Sequence, residues 1–246
     1  MKSIFFAATL LLAFSVSAQA PVAVPIPQEP LHNLVLENEY VRVFRVTVPA
    51  HESTLLHQHD VPYLYVSLGP ADVINAVQGK PEAHLVMADG QLGYSPGHFA
   101  HIARNDSDLP FNNVTIELLK PQGDPKNICA QVLAGAPKAD CPKSRATPGG
   151  PPKQPLFETG NTFVDLVALD PSLNVLSIRP QSPVLIVFLG ETQIQANSLN
   201  APTEKVLEGD TIWVSWPGET ILNSRKKDLR FIWIDFNGTK STAKPQ

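Results

Sequence analysis

The residues of this chain best suited to chemistry are its seven histidines, all of which fall between His32 and His101. Three stand at informative positions. His57 and His59 are separated by one residue, and His101 follows much later. In an extended strand, residues i and i+2 project to the same face, their Cα atoms about 6–7 Å apart. Two imidazoles so placed can converge on one ion at about 2.0–2.1 Å, and a third from another strand completes a facial set. The expected cofactor is a divalent transition metal (Fe, Zn, Cu, Mn or Ni), because neutral imidazole suits borderline ions. The competing reading is three barrel-lining histidines satisfied by hydrogen bonds alone. His98 is expected in a turn, pointing away from His101, while His32, His51 and His84 are read as surface residues at strand ends or loops.

The elements that must position these side chains read as short strands separated by Gly, Pro and Asn. Tyr40 to Val48 alternates, with Val41 and Val43 on one face and Arg42 on the other before the phase slips. Tyr63 to Leu68 and Val114 to Leu119 are further strands, and a weak helical period covers Asn127 to Leu133. Residues 21–30 form a Pro-rich extended arm, and Pro142 to Pro155 has linker composition. Beyond it the order of elements repeats. Phe163 to Pro171 echoes Tyr40 to Pro49, and Val184 to Gly190 echoes Tyr63 to Gly69. Gly209 to Gly218 echoes Gly90 to Gly97, and Leu229 to Phe236 echoes Pro110 to Leu118. Four matching elements in one order predict a duplicated β unit of about 80–90 residues.

His57-Gln58-His59, Gly69, Gly90, Pro96-Gly97 and His101 with Asn105 resemble the two signature motifs of the cupin superfamily. Gly90, Pro96, His101 and Asn105 match the second motif, with Gly97 one residue early. The first motif departs further: His51 replaces its leading glycine, and Tyr63 or Leu64 stands where the metal-binding glutamate belongs. The resemblance implies an all-β chain of two tandem cupin-type antiparallel jelly-roll barrels, joined by a Pro/Gly-rich linker, with a metal in the mouth of the first. Three neutral histidines without the glutamate would leave a divalent ion's charge uncompensated, favouring an anionic ligand or an acidified water. Tyr63 is then the candidate hydrogen-bond donor. Glu117, in the phase opposite Val114, Ile116 and Leu118, is the candidate replacement carboxylate. In the second copy Glu219 occupies the histidine's place and Ser177 to Pro180 offers no ligand type, so that half is read as structural. Trp213, Trp216 and Trp233 are read as core or inter-barrel packing, the alternative being a stacked sugar.

The expected organisation is a signal peptide over 1–20, a metal-binding barrel over 31–122, a disulfide-stapled linker over 123–155 and a degenerate barrel over 156–240. The signal peptide rests on Lys2, the apolar run from Ile4 to Phe14 and the cleavage site Ala18-Gln19-Ala20. It predicts a secreted or periplasmic protein, in which Cys129 and Cys141, the two cysteines, pair as a structural staple. A net charge of −4 with 17% charged residues argues against nucleic acid, and no later stretch has the length of a membrane span. The expected partner is a small-molecule ligand, with homo-oligomerisation left open. The functional expectation is a metal-dependent dioxygenase or isomerase acting on a small anionic or phenolic substrate, or else a non-catalytic binding or structural module of the cell envelope.

Overall fold

The computed structural model describes residues 22–137, 140–142, 144, 151–169, 175–178, 180–196, 203–215, 220–223 and 229–236. The expected signal peptide, Trp216 and Glu219 lie outside them. The regular elements among the described residues are strands, apart from one 3-10 turn at Ile26–Gln28. In the first half these are β1 (Val24–Pro25), β2 (His32–Glu37), β3 (Val41–Val48), β4 (His57–His59) and β5 (Tyr63–Leu68). There follow β6 (Ala71–Val77), β7 (Ala83–Met87), β8 (Leu92–Ser95), β9 (Phe99–Arg104) and β10 (Phe111–Leu118). The next strands are β11 (Lys126–Asn127), β12 (Lys153–Glu158), β13 (Thr162–Ala168), β14 (Val175–Ile178) and β15 (Val184–Phe188). The chain closes with β16 (Thr192–Ala196), β17 (Thr203–Val206), β18 (Thr211–Val214), β19 (Thr220–Asn223) and β20 (Arg230–Phe236).

The predicted duplication is present in the sheet topology. The order β3-β10-β5-β8 recurs as β13-β20-β15-β18, and β4-β9-β6-β7 recurs as β14-β19-β16-β17. Each half is therefore a two-sheet antiparallel barrel, closed the way jelly rolls manage their edges.

The phase slip in β3 has a packing cause. Val41 and Val43 face a core shared by the two halves, which also takes Val66, Val114 and Ile116 from the first barrel and Leu185, Ile232 and Ile234 from the second. Phe44, Val46 and Val48 turn instead into the first barrel's own interior, against Ile26, Val73 and Phe111. One strand thus serves two cores, and its alternation must break where it changes allegiance. The second barrel is filled by its own cluster, including Phe188, Phe231 and Trp233. Trp213 packs at the inter-barrel core, its ring centroid 5.5 Å from Tyr40 and 5.4 Å from Phe236. Both tryptophans that can be placed are packing residues.

Three expectations change. The arm is part of the first barrel: Val24 pairs in parallel with His57, and Ile26 is buried in the core. Asn127 to Leu133 is not helical. Lys126–Asn127 joins the second barrel's sheet, and the Asn127 side chain holds the following loop, its Oδ1 accepting from the Val132 and Leu133 amides. Strand β12 begins at Lys153, within the span read as linker. The Cys129–Cys141 disulfide is present in the loop between the barrels. Among the described residues, no helix is long and apolar enough to cross a membrane.

Candidate metal centre

Strand β4 is short, but its register does the positioning. His57 and His59 project inward and are buried, while Gln58 between them faces outward. In the antiparallel neighbour β9, His101 lies directly opposite His57, and the two rings are 4.4 Å apart at their centroids. Adjacent strands thus bring three imidazoles together. One nitrogen from each of His57, His59 and His101 lies within 4.8 Å of the others, and Glu117 is not in this group.

Hydrogen bonds fix two of the rings. His57 donates from Nδ1 to the Leu55 carbonyl at 2.9 Å, and His101 donates from Nδ1 to Asn75 Oδ1 at 2.6 Å. In each ring the Nε2 lone pair is left for another partner. His59 Nε2 lies 3.1 Å from His101 Nε2, and its Nδ1 is buried with no partner among the described residues. Two nitrogens each about 2.1 Å from a shared ion are 3.1 Å apart when they subtend about 95°. Burial pushes the His57 imidazole down to about 4 and His101 down to about 3, and it lowers His59 as well; neighbouring imidazoles reinforce each shift. All three are neutral at pH 7, the form that ligates metal. The donor set fits a divalent transition ion.

Two residues of this site escaped the sequence reading. Asn75, on β6, orients His101 in the manner of a residue behind a ligand; an Asn in a strand carries no periodic signal. His32, read as a surface residue, is buried. Its ring centroid is 4.7 Å from that of His57, and its Nδ1 lies 2.6 Å from Glu29 Oε2. Glu29 is itself 2% exposed and also accepts from the Leu31 and Leu55 amides. Burial opposes its charge, but hydrogen bonds, first that from His32, hold its carboxyl below the usual range. His51 and His84 are exposed as expected, and so is His98.

Tyr63 faces the interior and stacks on His59 with ring centroids 4.0 Å apart, whereas Leu64 faces the inter-barrel core. Of the two, Tyr63 is the one on the histidines' side of β5. Burial pushes the Tyr63 phenol well above its usual range, against a hydrogen bond with Ser95 that lowers it, so it remains a donor at neutral pH. Glu117 is on the same face of β10 as Asn113 and Thr115, which line the cavity, but further along the strand. Its Oε2 lies 2.9 Å from Arg42 Nε, and burial pushes its carboxyl up against the pull of that guanidinium. The structure brings Tyr63 to the histidines and leaves Glu117 with Arg42.

The histidines open on a cavity of about 300 Å³. One wall is apolar, formed by the clustered Val73, Leu85, Met87 and Phe111, with Tyr65 and Tyr94 also lining it. Ala134, from the loop that the disulfide closes, reaches the same cavity.

Backbone geometry tests the motif resemblance independently of the side chains. The non-glycine residues with positive φ among those described are His51 (φ 60°) and His98 (φ 62°). These are the two places where the cupin motifs have glycine. The left-handed turns are present here without the residue that adopts them free of strain. His98→Gly should therefore raise stability by roughly 0.5–1 kcal/mol. Gly97→Ala should cost roughly 1–3 kcal/mol, because φ is 73° there and a Cβ would lie 2.2 Å from the Val61 carbonyl oxygen. Denaturant midpoints of the two variants moving in the same direction would contradict this reading.

The fold is that of two tandem cupin-type jelly-roll barrels. Solved structures similar to this chain include AerE from Microcystis aeruginosa, at 11% identity and a TM-score of 0.57, covering 85% of this chain and 98% of that one. The YlbA protein of E. coli, family model DUF861, is similar at 10% identity and a TM-score of 0.57, covering 88% of this chain and 87% of that one. No family model and no curated protein matches this chain by sequence. At such identities the likeness carries the fold and nothing about substrate.

Proposed function

We propose that the chain is an exported bicupin whose first barrel holds one divalent transition-metal ion through His57, His59 and His101. It acts there as a dioxygenase- or isomerase-type enzyme on a small anionic or phenolic molecule. The observation that carries this reading is the convergence of three neutral imidazoles, two with their Nδ1 protons committed elsewhere, at the edge of a cavity of about 300 Å³. A bound ion would supply a Lewis-acidic centre facing that cavity. The chain's own residues do the rest. Neutral donors leave an anionic group on the ligand favoured, the apolar wall excludes water around its body, and Tyr63 braces His59 by stacking. Export is supported by the Cys129–Cys141 disulfide, which suits an oxidising compartment.

A second reading, a non-catalytic ligand- or metal-binding module, is favoured by one observation. Among the described residues lining the cavity there is no Asp or Glu to serve as a general base. Elemental analysis of protein purified without chelator or added metal should find about one equivalent of a transition metal; less than about a tenth would remove the metal from both readings. Oxygen uptake by the loaded protein with phenolic, β-diketone and thiol substrates then separates enzyme from binder.

A further inference from the structure

The arm preceding the first barrel contributes a polar pair that the three-histidine centre does not use. After the 3-10 turn at Ile26–Gln28, Glu29 is buried with every carboxylate contact assigned. Its Oε2 takes the Leu31 amide at 2.9 Å and His32 Nδ1 at 2.6 Å, and its Oε1 takes the Leu55 amide at 3.1 Å. Leu55 in turn accepts from His57 Nδ1 with its carbonyl. One carboxylate therefore holds both the His32 ring and the residue, Leu55, whose carbonyl orients a candidate ligand. An ionised carboxylate can only accept, so the His32 ring carries a proton on Nδ1, which leaves Nε2 as the atom free for another partner. That Nε2 has no hydrogen-bond partner among the described residues, and His32 lines the cavity. His32 is not in the group whose nitrogens lie within 4.8 Å of one another, so it stands beside the centre and not within it.

We propose that the Glu29–His32 pair is a second binding element of this site: His32 Nε2 hydrogen-bonds a hydroxyl of the ligand whose other oxygen faces His57, His59 and His101. This rests on the metal reading and narrows it to ligands that carry a hydroxyl beside their metal-facing oxygen. A ring nitrogen held in place by a buried carboxylate disfavours a ligand lacking that hydroxyl, because the nitrogen is then left unpaired beside an apolar wall. The apolar wall formed by Val73, Leu85 and Met87 suits the hydrocarbon body of such a molecule.

The test uses the cobalt-loaded full chain, with two probes followed by the electronic spectrum: 4-nitrocatechol, which carries adjacent hydroxyls, and azide, which carries none. His32→Phe should retain about one equivalent of cobalt and bind azide within about twofold of the parent, while binding 4-nitrocatechol about tenfold more weakly. His32→Gln, which keeps an acceptor, should recover part of that loss. Equal loss for both probes, no loss for either, or loss of cobalt would overturn the proposal. A measurement without substitution guards against variants that do not fold. In zinc-loaded parent protein, the nitrogen resonance of His32 Nε2 should shift with 4-nitrocatechol and stay in place with azide; a resonance that ignores both also overturns it. A parent protein that takes up no cobalt sinks the metal reading together with this one. A loaded parent whose His32 variants bind both probes normally sinks this one alone.

Discussion

In protein carrying both His57→Ala and His59→Ala, metal content falls from about one equivalent to less than about a tenth. The two side chains share one face of β4, and together with His101 they are the group of possible ligands that the described residues bring within 4.8 Å. Removing both leaves one imidazole, and a single neutral nitrogen cannot hold a divalent ion against water and buffer. The barrel should survive the change. Strand β4 keeps its backbone pairing with β1 and β9, and alanine leaves no buried charge behind. A milder variant separates ligand from support. Asn75→Ala leaves the three nitrogens in place but frees the His101 ring, and should weaken metal binding roughly 10–100-fold while excess metal restores occupancy. Metal content measured by plasma mass spectrometry, beside the unfolding midpoint of the metal-free protein, reads both. Full occupancy in the double variant would mean that the ion sits elsewhere.

Much of this arrangement was legible in the residues, and the parts that were not share a physical reason. Strand identity came from alternation and from Gly and Pro punctuation, and the order of four elements exposed the duplication before any pairing was known. The inward pair His57 and His59 followed from the two-residue strand period alone. Even the slip after Val43 was visible, although its meaning, a strand dividing its side chains between two cores, needed the second barrel in place. Register between strands distant in sequence was not legible. The choice between Tyr63 and Leu64 depended on which face of β5 looks inward, and the fate of Glu117 on its lying opposite Arg42 rather than opposite a histidine. Local sequence misled most at the arm. Residues 21–30 read as an extended arm and His32 as a surface residue, and it is the pairing of β1 with β4 that brings Glu29 and His32 into the interior. His51 and His98 show the converse: a motif glycine replaced by histidine looks like an erased signal, yet φ near +60° preserves it in the backbone.

Acid should unfold the metal-free protein far sooner than its carboxylates alone would require. His57 and His101 titrate near 4 and 3 in the fold because burial disfavours their charged forms, and His59 is lowered for the same reason. In the unfolded chain each takes up its proton near the ordinary value of 6.5. Their folded pKa values are depressed, so the stability they permit is complete above about pH 6.5 and is lost as pH falls through 4 and 3. Within that window the unfolded state binds more protons than the native state. Each histidine can contribute up to about 1.4 kcal/mol per pH unit, so three could remove a few kcal/mol between about pH 6 and 4.5. A small-domain stability of roughly 5–15 kcal/mol does not easily absorb that loss. Urea midpoints of chelator-treated protein across this range should therefore fall steeply, and the His57→Ala/His59→Ala protein should show a markedly shallower fall. Equal slopes in the two proteins would mean that the cluster is solvated or already charged in the fold, and its neutral, ligating form at pH 7 would go with it.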